Sequence, residues 1–138
     1  MKTKQTRGTV YLSLVSVLLM AAPAAVFANE QDCLSLINQT SAQNTDAILD
    51  DTLFMSTKAL SLNEDTISRI FAEAPTKCGD LPNGAVVVGD LDAAASELGI
   101  AADFNESGDT ILASEHELNA APFFALASTD ALLGFVAH

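Results

Sequence analysis

Apolar positions along this chain fall into short runs at helical spacing, separated by polar stretches that read as breaks. The first strong run is Val10 to Met20, interrupted only by Ser13 and Ser16. Lys2, Lys4 and Arg7 precede it, and small residues around Pro23 follow it. Positive, apolar and small segments in that order make an export leader, and Val26-Phe27-Ala28 offers the residues a signal peptidase accepts. Residues 1–28 therefore read as a leader cleaved after Ala28, and residues 29–138 as one small domain. The competing possibility is a retained anchor, since Thr9 to Ala28 is 20 residues, just long enough to span a bilayer.

In the next stretch the spacing predicts about three short helices. Cys33, Leu34, Leu36 and Ile37 suggest a first helix that fades into the polar run Asn38 to Thr45. Asp46 can cap a second, carrying Leu49, Leu53, Phe54 and Leu60 to about Leu60, its apolar face widened by Ile48, Met55, Ala59 and Leu62. Ser61 and Glu64 fit a capping box for a third, with Ile67, Ile70, Phe71 and Ala74 at helical spacing and Pro75 ending the run.

The C-terminal half reads as mixed. Gly79, Pro82 and Gly84 mark a turn, and Ala85 to Val88 is a short β-branched run. Asp90 or Asp92 can cap a helix over Ala93 to Leu98, closed by Gly99 and Ile100. Ile100 to Phe104 and Thr110 to Ala113 flank Asn105 to Asp109 as a β-hairpin would. Pro122 to Ala127 and Leu132 to Val136 are apolar but too short to assign. The fold expected is α+β, a helix-rich N-terminal half with a small helix-and-hairpin C-terminal half. An all-α fold is the alternative, because Ala and Leu are abundant throughout.

Export changes the meaning of the two cysteines. Cys33 and Cys78 are the only pair in the chain, and an oxidising compartment gives them one intramolecular partner each. Closing that loop stabilises the domain by about 4 kcal/mol on the chain-entropy model. A zinc site would need further ligands beside two isolated thiols, and a redox pair usually sits two residues apart.

Charge sharpens once the leader is removed. Lys58, Arg69 and Lys77 then face all 18 acids, a formal charge of −15 against −12 for the whole chain. Such a surface repels nucleic acid and anionic membranes and favours cations, basic proteins or salty water. The last 110 residues contain no Trp and no Tyr, so sugar binding by aromatic stacking is disfavoured.

Local motifs are few. Asp103, Asn105, Ser107 and Gly108 match the first positions of an EF-hand or dockerin-like calcium loop, but Thr110 and Ser114 depart from its later ones. Ordinary turn chemistry uses the same residues, so calcium is at most a weak ligand here. His116 lies in Ser114-Glu115-His116-Glu117 without a nucleophile elbow near any serine, and a small hydrolase ranks last among the readings.

The function expected is a periplasmic or secreted, bacterial-type, non-enzymatic domain that binds another protein, basic partners being favoured by its charge, with no membrane contact after cleavage. Phe54, Met55 and Phe71 would supply its apolar face, and Asp50, Asp51, Glu64 and Asp65 the acidic rim. The runner-up is a calcium-dependent or salt-adapted structural protein of the cell envelope resting on Asp103, Asn105 and Ser107.

Overall fold

Over residues 24–137, which the computed structural model describes, the chain forms four helices and, among those residues, no strand. They are α1 (Ala24–Thr52), α2 (Ser56–Lys77), α3 (Gly84–Glu106) and α4 (Thr110–Ala137). Each packs on its neighbours in sequence, and α1 closes the ring against α4, so the helices run up, down, up and down. The expected leader lies mostly outside the described residues; Ala24 to Ala28 form the start of α1. No described helix is long and apolar enough to cross a membrane.

The interior follows a seven-residue repeat. Buried positions step by three and four along α1 at Cys33, Ile37, Thr40, Asn44, Ala47 and Asp51. On α3 they are Gly84, Val87, Leu91, Ala94, Leu98, Ala101 and Asn105. On α4 they are Thr110, Ala113, Glu117, Ala120, Phe124, Ala127 and Ala131. Ala59, Asn63, Thr66, Ile70 and Ala74 complete the set from α2. Such a repeat keeps one seam of each helix facing inward along its whole length.

The α+β expectation is corrected here to the all-α alternative, and the seam gives the reason. The polar run Asn38 to Thr45 does not break α1, because Thr40 and Asn44 lie inside the bundle. The Thr40 hydroxyl donates back to the carbonyls of Leu36 and Ile37 at 2.8 and 3.1 Å, which satisfies it within its own helix. Ser61 is not a cap but an exposed interior position of α2, which starts at Ser56 and passes Pro75 by two residues. Val86 to Val88 and Gly99 lie inside α3.

The expected hairpin over 100–113 is a helix-to-helix turn. Asp109 N–H donates to Phe104 O at 2.9 Å and Gly108 N–H to Asn105 O at 3.0 Å, the double bond of a Schellman ending. Gly108 takes the left-handed position with φ 79°. The Asp109 carboxylate then accepts from Leu112 N–H at 3.0 Å and caps α4. Glycine and aspartate serve both kinds of turn, so their presence did not distinguish them.

The two halves of the bundle differ in polarity. Around the Cys33–Cys78 disulfide the core is apolar, built from Leu36, Ile37, Ile70, Leu81, Val87, Leu91, Leu98 and Phe124. That bridge ties the early part of α1 to the residue closing α2 and fits an oxidising compartment. At the opposite end the seam turns polar.

Candidate functional site

At that polar end, α1 and α2 are joined by Leu53, Phe54 and Met55. Met55 N–H donates to Asp50 O at 2.8 Å and Phe54 N–H to Asp51 O at 3.0 Å, the same double bond that ends α3. Phe54 therefore stands where Gly108 stands in the neighbouring turn, and it has φ 59°. A bulky side chain in this left-handed region costs roughly 1–2 kcal/mol. The ring gains little burial in return, because it is 78% exposed. Leu49, Leu53 and Met55 are exposed around it, with the carboxylates of Asp46 and Asp50 on the same last turns of α1.

A layer of buried polar side chains from all four helices lies beneath this tip. Ser56 Oγ donates to Asn105 O at 2.7 Å, tying the start of α2 to the end of α3. The Asn105 amide donates to both oxygens of Asp51 at 2.9 Å. Asn63 donates to Asn105 Oδ1 at 2.8 Å and to Glu117 Oε2 at 2.7 Å. One turn deeper, the Asn44 amide donates to the Glu117 carbonyl at 3.1 Å.

Burial pushes the Glu117 carboxyl up to about 8, helped by its hydrogen bond to Asp51 and by the charges of Asp51 and Asp50, while the Asn63 bond works the other way. Glu117 is thus neutral at pH 7. Its Oε2 accepts from Asn63, and its Oε1 is buried without a hydrogen-bond partner. The layer over-determines the chain on both sides of Phe54, and such support lets a strained residue persist.

The sequence-predicted site residues separate in space. Phe54 and Met55 are exposed at the tip with Asp50 half-buried beside them, but Asp51 is not a rim residue: it is 2% exposed and faces the interior. Glu64 and Asp65 are exposed on α2, where Asp65 bonds Gln43 and pairs with Arg69. Phe71 is also exposed, yet it lies fifteen residues beyond Ser56, about 22 Å down the helix from the tip. No single apolar face joins Phe71 to Phe54 and Met55.

The stretch that matches the start of a calcium loop spans the end of α3 and the turn into α4. Asp103 is exposed, Asn105 is buried against Asp51, and Ser107 Oγ donates to Phe104 O at 3.0 Å. The three side chains do not converge on one point. Among the described residues no group of three or more His, Cys, Asp or Glu is placed to hold a metal. His116 faces α3, with Nδ1 2.9 Å from Glu97 Oε1 and its ring stacked on Phe104 at 5.7 Å.

Sequence reasoning missed Asn44, Asn63 and Glu117. The available signal was their place on the seven-residue seam, alternating with small residues such as Ala47, Ala59 and Ala120. A second carboxylate pair links α3 and α4: Asp90 is pushed up to about 7 by burial and by its hydrogen bond to Asp130. The chain matches no family model, no curated protein and no solved structure.

Proposed function

We propose that this chain is an exported, non-enzymatic binding module that holds a protein partner on the α1–α2 tip, with Phe54 as the anchor. One observation carries it: the chain uses glycine at the left-handed position of one turn and an exposed phenylalanine at the same position of the other. Folding alone favours glycine there, so the ring has a use outside the fold. Aromatic side chains at the centre of an interface are the usual anchors of binding energy. Asp46 and Asp50 would steer a partner that carries basic residues around an apolar pocket.

Selection of a random peptide library on the immobilised protein, with Phe54→Gly as counter-target, tests this directly. Enriched peptides should combine basic and apolar residues, bind more weakly in high salt and ignore the Phe54→Gly protein. Peptides that bind both proteins alike, or no enrichment at all, would remove Phe54 from the role.

A further inference from the structure

We propose that the outer face of α4 docks a second copy of this chain, antiparallel, about a two-fold axis passing beside Pro122. The inner seam of α4 is filled by the bundle, yet its outer face is apolar as well. Ile111, Leu112, Leu118, Leu126, Leu132 and Leu133 are between 37% and 74% exposed. A helix that is apolar on both faces is ordinarily covered on both.

Charge argues for the occupant. Of the ionisable side chains on α4, Glu117 is buried while Asp130 and His116 engage Asp90 and Glu97 on α3. Glu115 is left as the one charge on the outer face between Ile111 and Leu133. The other helices expose acids outward: Asp32 and Asp46 on α1, Glu64 and Asp65 on α2, Asp92 and Asp103 on α3. Two copies of so acidic a chain repel each other least across α4. A basic partner, in contrast, gains little from a stripe that carries a single charge.

The register argues for antiparallel pairing. Ile111 and Leu133, Leu112 and Leu132, and Leu118 and Leu126 are each centred on position 122. A two-fold axis there sets every exposed large apolar residue of the stripe opposite another, as an isologous interface requires. Glu115 then faces Thr129 of the second copy, whereas a parallel pair would set Glu115 against itself. Asn119, Pro122 and Ala125 at the centre are uncharged and exposed, and they leave room for the helices to approach. If fully covered, these six residues would lose roughly 600 Å² per copy, an upper bound of about 1,200 Å² for the pair, which reaches the ~1,000 Å² expected of a specific interface.

Sedimentation equilibrium of the oxidised protein should give twice the chain mass. The double substitution Leu118→Glu/Leu126→Glu should halve that mass while helix content is kept. A single-chain mass at every concentration overturns the proposal, and so does a dimer that survives the double substitution. Orientation is read by mixing Leu118→Cys protein with Leu126→Cys protein under mild oxidant, the Cys33–Cys78 bridge intact. Mixed cross-links should form faster than either self-cross-link; Leu118→Cys protein that joins chiefly to itself overturns the antiparallel register.

Discussion

Phe54 and Gly108 occupy the same left-handed position in two matching helix-ending turns, side by side at one end of the bundle. Glycine relaxes the α3–α4 turn, and phenylalanine strains the α1–α2 turn. The difference makes this end of the molecule a trade between stability and display.

Phe54→Gly should therefore stabilise the protein, by about 1 kcal/mol once the extra freedom of glycine in the unfolded chain is offset. Urea unfolding followed by far-ultraviolet circular dichroism measures it, since the domain has no Trp or Tyr. A lower midpoint for Phe54→Gly would mean the exposed ring holds the turn together.

Stability should fall as pH rises from about 4.5 to about 8. Glu117 is raised from 4.5 to about 8 in the folded chain, and Glu30 and Asp90 are raised as well, mainly by burial. A carboxyl with a raised folded value stabilises fully below its unfolded value and loses that contribution as pH climbs through the folded one. Thermal midpoints should be higher at pH 5 than at pH 8.5, and Glu117→Gln should flatten the slope. A midpoint that climbs over this range would show that Glu117 is ionised in the fold.

Reducing the Cys33–Cys78 bridge should cost about 4 kcal/mol, because the closed loop spans 45 positions. Its effect on the polar end should be small, since the bridge lies among the apolar residues at the other end. Denaturant midpoints with and without reductant give the loss. Amide exchange at Phe54 and Met55 reports whether the tip stays closed, and opening there first would contradict the separation of the two ends.

Two glycines of α3 should respond oppositely to alanine. A Cβ at Gly84 would meet the Cys78 carbonyl at 2.6 Å and collide with that of Gly79, where α3 begins against the preceding turn. Gly84→Ala should destabilise by roughly 1–3 kcal/mol. A Cβ at Gly89 meets nothing within 4 Å, so Gly89→Ala should stabilise by about 1 kcal/mol through helix propensity. Equal signs for the two would mean that α3 enters the bundle differently.

Much of the helical content was legible from spacing alone: Ile67, Ile70 and Ala74 mark α2 without help from elsewhere. The site was legible only in part. Phe54 and Met55 stood out as apolar residues flanked by acids, but nothing in the pattern told that Asp50 would stay near solvent while Asp51 turned inward.

By itself the sequence determined the cysteine partnership, the acidic surface and a turn around residues 108 and 109, though not its kind, because each rests on a local preference or a count. Only the tertiary structure decided that Asn44, Asp51, Asn63, Asn105 and Glu117 belong inside. A polar residue is tolerated in a core when a partner meets it there, and these partners lie 42 to 73 positions away along the chain. The same distance explains the missing hairpin. Residues 100–104 and 110–113 are helical because their seam positions pack against neighbouring helices of the bundle, a condition that no window of neighbouring residues contains.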